Sequence, residues 1–185
     1  MIYLASNSPR RAELLNQIGI SFLRINGSID EQRKPDESAE EYVLRLALEK
    51  AQAGFTNSDQ SRPVLGADTI VVVDHHVLEK PENELAGREM MQLLSGRTHQ
   101  VFTAIAVVNS RLEKTRLVKT DVSFKSLSEQ DIAEYWLTGE PLDKAGGYAI
   151  QGIAGKFITN INGSYSAVVG LPLYETELLI KEFKE

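Results

Sequence analysis

Cysteine is absent from all 185 residues of the sequence. Its absence excludes disulfide bonds, zinc–thiolate sites and a thiol nucleophile, so any metal ion must be held by oxygen or imidazole ligands. The sequence also lacks any run approaching the about 20 apolar residues of a membrane-spanning helix, and its first residues do not have the pattern of a secretory signal. We therefore expect a cytoplasmic protein.

Basic residues are outnumbered, since 20 Lys and Arg face 26 Asp and Glu and the formal net charge is −6. Nucleic-acid binding is driven by basic side chains that displace counterions from phosphates, so this balance argues against a broad nucleic-acid surface. Several basic residues nevertheless stand within two residues of Gly, Pro or Ser at predicted loop ends: Arg10, Arg11, Lys80, Arg97, Lys144 and Lys156. This placement suits a small anionic ligand, and ordinary surface charge is the alternative.

Strand and helix patterns alternate in the first half of the chain, and an antiparallel pair of strands follows. Strands are predicted at residues 2–5, 22–25, 64–73, 77–78, 98–109 and 115–125. Helices are predicted to begin at Pro9, Ser38, Asn83, Ser128 and Pro172. The pattern predicts an α/β fold with a central mixed β-sheet flanked by helices, and the hydrophobic content of 42% suffices for a single domain over residues 1–185.

An acidic residue interrupts the most apolar predicted strand, at Asp68 in residues 66–69 (GADT). A carboxylate there loses hydration unless it is paired, hydrogen-bonded or bound to metal, and such acids are often functional. Asp68 could accept a proton from water or ligate a divalent cation, whereas an Asp that caps a turn is the structural alternative. Glu31 could supply a second oxygen ligand, or lie in a solvated loop.

Residues 6–11 (SNSPRR) combine hydroxyl groups, a predicted helix start and two guanidinium groups. We expect Ser8 to cap this helix, and Ser8 and Arg11 are candidates for binding phosphate at the helix N-terminus. Lys50 and Lys80 could neutralise further phosphate charge as compact cations. The alternatives are a capped helix with solvated arginines, and ordinary solvated lysines.

A glycine-rich stretch in the second half, residues 144–152 (KAGGYAIQG), is a candidate ligand loop. Glycines let the backbone approach a ligand, and the amide of Gln151 can donate and accept together, which suits the edge of a nucleotide base. A glycine-rich turn around a core tyrosine is the alternative. The nearby residues 152–157 lack the glycine spacing and the Ser or Thr of a Walker A motif.

The whole set of motifs resembles the Maf family of nucleotide pyrophosphatases. The resemblance is carried, in the order of that family, by residues 6–11, 66–69, 79–81, 95–98, 144–152 and 163–172. The segment with Gln151 is similar to the branch of the family that acts on dTTP and UTP. The resemblance spans nearly the whole chain.

The resemblance implies a mixed-sheet fold like that of inosine triphosphatases, with a ligand cleft, a divalent metal cation such as magnesium or manganese, and a homodimer. It implies a house-cleaning enzyme that hydrolyses dTTP, UTP or modified pyrimidine triphosphates to the monophosphate and pyrophosphate. A nucleotide-binding regulator of cell division or septum formation, without significant turnover, is the alternative.

The resemblance also implies roles for individual residues. Asp68 matches the proton acceptor, and Arg10, Thr69 and Gln151 match positions associated with substrate choice. Further positions of the ligand pocket are matched by Arg11, Glu31, Lys50 and Lys80. Magnesium-type sites need only one or two protein carboxylates when substrate phosphates complete the coordination, so Glu31 and Asp68 are the expected metal ligands.

Overall fold

A mixed seven-stranded β-sheet with flanking helices forms the framework of the computed structural model, which describes residues 1–183. The strands are β1 (Ile2–Leu4), β2 (Phe22–Arg24), β3 (Val64–Val73), β4 (His76–Leu78), β5 (Thr98–Val108), β6 (Glu113–Phe124) and β7 (Ile158–Asn162). The helices are α1 (Pro9–Gln17), α2 (Ala39–Thr56), α3 (Glu84–Leu94), α4 (Glu129–Leu137), α5 (Tyr165–Val169) and α6 (Leu173–Lys181). The predicted fold class is therefore confirmed.

The sheet has the strand order β2-β1-β3-β5-β6-β7, and β4 pairs with β3 outside this path. Strand β1 is parallel to β2 and to β3, as expected where a helix connects consecutive strands. Strand β4 is antiparallel to β3, and β7 is antiparallel to β6. The predicted return strand after β3 is confirmed, and α5 is a short helix that the sequence pattern did not predict.

Side-chain caps define three of the helix starts, as predicted. In α2 the Ser38 hydroxyl accepts from the Glu41 amide at 3.2 Å, while the Glu41 carboxylate accepts from the Ser38 amide at 2.9 Å. The same reciprocal box opens α4 at Ser128, and the Asn83 side chain caps α3. Each cap satisfies backbone N–H groups that have no partner in the first helical turn.

The start of α1 differs from the prediction, because the side chain of Ser8 makes no capping hydrogen bond. The Ser6 hydroxyl instead accepts from the Ser8 amide at 3.2 Å and organises the turn before the helix. Pro9 occupies the first turn and has no N–H group, so one of the first-turn donors that lack a partner within the helix is missing.

The described residues pack into two units, and their boundaries fall within β3, β5 and β6. The first unit contains Met1–Thr69, Thr103–Val118 and the residues from Gly170 onwards. Its buried residues include the apolar face of α2: Tyr42, Val43, Leu46, Ala47 and Ala51. The second unit contains Ile70–Phe102 and Lys119–Val169. A single domain over the chain remains a prediction.

The core of the second unit is built around aromatic rings that meet edge to face, including Phe124, Tyr135, Tyr148 and Phe157. Aliphatic residues from β3, α3 and α4 complete it, and Leu94 and Ile132 are almost fully buried there. Within residues 1–183, no helix is long and apolar enough to cross a membrane.

Candidate functional site

A glycine on β3 lets helix α2 lie directly against that strand. A Cβ atom on Gly66 would lie 2.6 Å from the backbone nitrogen of Ala51 and closer still to the carbonyl oxygen of Ala47. Such separations are shorter than real Cβ contacts, so Gly66 is required where the two backbones meet. Lys50 lies in the same turn of α2, and the close packing brings its side chain to Asp68, two residues beyond Gly66 on β3.

Lys50 joins the two carboxylates that the sequence singled out. Its Nζ atom lies 2.7 Å from Oδ1 of Asp68 and 2.8 Å from Oε1 of Glu31. The side chain of Lys50 is only 12% exposed, so it is not a solvated surface lysine, whereas that of Glu31 is 51% exposed. The structure thus brings together a strand residue, a helix residue and a loop residue whose types favour binding of charged groups.

Asp68 is the one carboxylate among the buried polar residues of the described chain, and it is 7% exposed. Burial raises the pKa of its carboxyl group, because the charged form loses hydration, and this effect outweighs the attraction of Lys50 and Arg11, which lowers the pKa. The charge of Glu31 raises the pKa further. A carboxylate with a raised pKa is better matched to accepting a proton near neutral pH than an ordinary aspartate.

Arg11 is fixed in place by three hydrogen bonds within the protein. Its guanidinium group donates from Nε to the carbonyl oxygen of Gly170 at 2.8 Å, and to the hydroxyls of Ser6 at 3.2 Å and Thr69 at 3.3 Å. Burial lowers its pKa, although Asp68 opposes this effect. Arg11 therefore connects the start of α1, strand β3 and the segment before α6.

Besides Arg11, the hydroxyl of Thr69 has a second partner, which the sequence did not reveal. Its Oγ1 atom lies 3.0 Å from Oγ1 of Thr103, a fully buried residue on β5. Threonine is common in strands, so its residue type gave no signal, and only the pairing of the strands reveals the contact. Gly170, whose carbonyl oxygen holds Arg11, was missed for a similar reason, since a backbone acceptor has no sequence signature.

The remaining candidates near α1, Arg10 and Ser8, lie at the start of the helix, as the sequence predicted. Arg10 lies in the first turn of α1 and is half-buried. Ser8 precedes the helix, and its hydroxyl is not used as a cap. Both residues flank the Arg11 network at the N-terminal end of a helix, where backbone N–H groups and the helix dipole favour an anion.

Lys80 and Gln151 lie in the second unit, and both are exposed. The segment that carries Gln151 forms short 3₁₀ turns at Ala145–Gly147 and Ile153–Phe157. The Gly146 amide donates to the carbonyl oxygen of Glu79 at 3.0 Å, which connects this segment to the residue before Lys80. Gly146 has φ +67°, and a Cβ atom there would lie 2.8 Å from the side chain of Val71, so both backbone shape and space require glycine.

Two polar residues contact the glycine-rich segment, residues 144–152, and the turn that follows it. Nε2 of His99 lies 2.7 Å from the hydroxyl of Tyr148, and His99 is 2% exposed. The carboxylate of Glu140 accepts from the amides of Ile153 at 2.9 Å and Ala154 at 3.2 Å. The sequence gives no signal for a role of His99 or Glu140, because their partners come from the tertiary fold.

The carboxylates of Glu31 and Asp68 both contact Lys50, and the described residues contain no group of three or more acids or histidines placed to hold a metal ion. Both oxygens already face one cationic atom, Nζ of Lys50. Two converging carboxylates suit a magnesium-type cation that takes its remaining ligands from water and phosphate. The residues therefore fit the expected metal.

Comparison with known proteins gives one consistent family. The profile of the family described as "Maf-like protein" matches residues 1–183. A protein of Shigella dysenteriae serotype 1 described as "dTTP/UTP pyrophosphatase" is 57% identical over 182 residues, which cover 98% of this chain and 92% of that protein. A protein of Escherichia coli O157:H7 with the same description is 56% identical over 182 residues, with the same coverage of both chains.

Among solved structures, a nucleoside-triphosphatase / dITP/XTP pyrophosphatase from Mycobacterium abscessus is similar over 66% of this chain and 73% of its own. The TM-score is 0.43 and the sequence identity is 16%.

Proposed function

Because this chain belongs to the Maf-like family, we propose that it is a nucleoside triphosphate pyrophosphatase that hydrolyses dTTP and UTP to the monophosphate and pyrophosphate. The relatives described as dTTP/UTP pyrophosphatases, which match 98% of the chain, support this substrate class. The observation that carries the proposal is the buried carboxylate of Asp68, held by Lys50 on a strand whose other residues, apart from Thr69, are apolar or glycine.

Asp68 accepts the proton in the proposed reaction. A water oxygen attacks the α-phosphorus, the bond from that phosphorus to the oxygen bridging to the β-phosphorus breaks, and pyrophosphate leaves. The proton of the water passes to the carboxylate of Asp68, whose raised pKa suits this transfer. Activation by a positioned base contributes about 10²- to 10⁴-fold to such reactions.

The cationic residues neutralise the triphosphate. Lys50 and Lys80 act as compact positive charges, and Arg11 and Ser8 mark the phosphate-binding end of α1. Because its three hydrogen bonds already fix Arg11, it presents its charge with little reorganisation. When bound, a divalent cation such as magnesium or manganese, held by Glu31 and Asp68, supplies further neutralisation of phosphate charge.

Substrate choice is assigned to Arg10, Thr69 and Gln151. The Thr69 hydroxyl is held by Arg11 and by the Thr103 hydroxyl, so its orientation is restricted. Gln151 is exposed, and the segment that carries it is held by His99 and Glu140. An amide such as that of Gln151 can both donate to and accept from a pyrimidine edge.

We include a homodimer and a cytoplasmic location in the proposal. The resemblance to the family supports the dimer, and the absence of cysteine together with the nucleotide substrate supports the location. Sedimentation analysis of the purified protein at several concentrations tests the dimer, and a monomer at every concentration would refute it.

A panel of dTTP, UTP, dCTP, dATP and dGTP, assayed with magnesium or manganese, tests the function. We expect stoichiometric monophosphate and pyrophosphate from dTTP and UTP, and slower turnover of the purine nucleotides. Release of orthophosphate would overturn the cleavage position. Stabilisation of the protein by nucleotides without turnover, in either metal, would favour the regulator instead.

A further inference from the structure

The ammonium group of Lys50 lies between the two carboxylates assigned to the divalent cation. Its Nζ atom contacts Oδ1 of Asp68 at 2.7 Å and Oε1 of Glu31 at 2.8 Å, so one cation already satisfies both acids. The side chains of Lys50 and Asp68 are 12% and 10% exposed, and water therefore screens their contact weakly.

We propose that Lys50 is a placeholder for the divalent cation: it occupies the position between Glu31 and Asp68 until the triphosphate draws it away. The proposal concerns regulation of the site described above, and its catalytic meaning rests on the proposed function. In the enzyme without nucleotide, Lys50 weakens metal binding. With nucleotide, the same lysine contacts phosphate and the carboxylates become free for the cation.

Lys50 and a divalent cation exclude each other for two reasons. Magnesium requires carboxylate oxygens at about 2.0–2.1 Å, so the oxygen atoms that face Nζ cannot serve both cations at these positions. A divalent cation on the other carboxylate oxygens would lie beside the ammonium group in a poorly hydrated place, where repulsion between positive charges is strong. Binding of the metal therefore requires that Lys50 moves.

The chain supplies what this movement needs. Lysine has a flexible stem of four carbon atoms, so its charge can shift while the backbone of α2 stays against β3. Ser8 and Arg11 provide the anion-binding end of α1 in the same unit. Triphosphate at that end offers Lys50 a stronger partner than two carboxylates, and binding of nucleotide and metal becomes mutually reinforcing.

Direct measurement of manganese binding tests this inference without turnover. Free Mn²⁺ is followed by electron paramagnetic resonance while protein is titrated without nucleotide. The wild type should bind weakly, and Lys50→Met should bind more tightly by about tenfold or more, because a unit positive charge has been removed from the site. Lys50→Arg keeps the charge and should bind as weakly as the wild type.

Lys34→Met is the matched control, because it removes a lysine from the same unit whose Nζ atom is 3.9 Å from Glu49. It should leave manganese affinity unchanged. Equal affinity of Lys50→Met and wild type, or an equal gain in Lys34→Met, would overturn the proposal.

The wild type provides a second measurement that does not depend on the folding of Lys50→Met. A dTTP analogue with a methylene group between the α- and β-phosphates should raise the bound manganese above the sum for protein alone and analogue alone. Bound manganese equal to that sum would overturn the placeholder role. Pyrophosphate release from dTTP by the wild type is measured separately, so a failure of the proposed function remains distinguishable.

Discussion

The hydroxyl oxygens of Thr69 on β3 and Thr103 on β5 lie 3.0 Å apart, and Thr69 also accepts a hydrogen bond from Arg11. A hydroxyl has one donor and two acceptor positions, so these two partners decide which of them Thr69 can still offer to a ligand. Thr103 thus acts on the orientation of the hydroxyl of the candidate specificity residue.

Replacement of Thr103 by Val should reduce the discrimination between dTTP and other nucleotides. The change keeps the side-chain shape and removes the hydroxyl, and we expect kcat/KM for dTTP to fall by about three- to tenfold, as for loss of one hydrogen bond. The free energy of unfolding of Thr103→Val should differ from that of the wild type by about 1 kcal/mol. Thr103→Ser retains the hydroxyl and should keep the preference of the wild type, and loss of the preference in this control would contradict the role of the hydroxyl.

Replacement of Gly66 by Ala should destabilise the protein by about 1–3 kcal/mol or more, because overpacking forces α2 away from β3. Its Cβ atom would lie 2.6 Å from the backbone nitrogen of Ala51. Urea unfolding measures the change, and displacement of Lys50 should lower kcat as well. Gly19→Ala has open space and only an unfavourable positive φ, so it should cost about 1 kcal/mol and leave kcat unaffected. An unchanged kcat in Gly66→Ala, or an equal loss of kcat in Gly19→Ala, would refute the packing argument.

The fold was largely predictable because its signals are local. The capping boxes at Ser38 and Ser128, and the apolar run of β3, specify elements through residues close in sequence. The prediction failed where several local solutions compete, as at Ser8, where the Ser6 hydroxyl organises the turn.

The candidate site was predictable in its residue types and less so in its connections. A carboxylate within an apolar strand identified Asp68, because burial of a charge requires a partner. The identity of that partner depends on the packing of α2 against β3, so Lys50 could equally have been a solvated lysine. Thr103, His99 and Glu140 were missed because ordinary strand and loop residues become polar contacts only in the folded chain.

Stability should fall as the pH decreases from about 6.5 to about 4, owing to His99. Burial lowers the pKa of its imidazole from 6.5 to about 4. In this range the unfolded chain takes up a proton that the folded chain does not, so acid favours unfolding by up to about 3 kcal/mol. The free energies of unfolding of the wild type and His99→Gln are measured across this range. Their difference should change with pH below about 6.5 and become constant at higher pH. Parallel pH profiles would contradict the assignment.

Removal of the charge on Glu31 should shift the acid limb of kcat/KM to lower pH. Burial raises the pKa of Asp68, Lys50 and Arg11 lower it, and Glu31 raises it. A base must be deprotonated to act, so a lower pKa extends activity towards acid. The measured quantity for Glu31→Gln is the pH at which kcat/KM falls to half on the acid side. This pH can be determined whether or not the maximal rate falls. Asp30→Asn changes a neighbour that accepts from the Gln32 amide and should leave the limb in place; a shift in this control as large as that in Glu31→Gln would refute the assignment.

The role of Asp68 is tested most directly by pyrophosphate release from dTTP in Asp68→Asn, with nucleotide binding measured on the same sample. The amide keeps the shape of the carboxylate and cannot accept the proton from water. We predict that the rate falls by about 10²- to 10⁴-fold, the usual contribution of a general base, while nucleotide binding remains detectable. Pyrophosphate release by Asp68→Asn at the wild-type rate would contradict the central role of this residue.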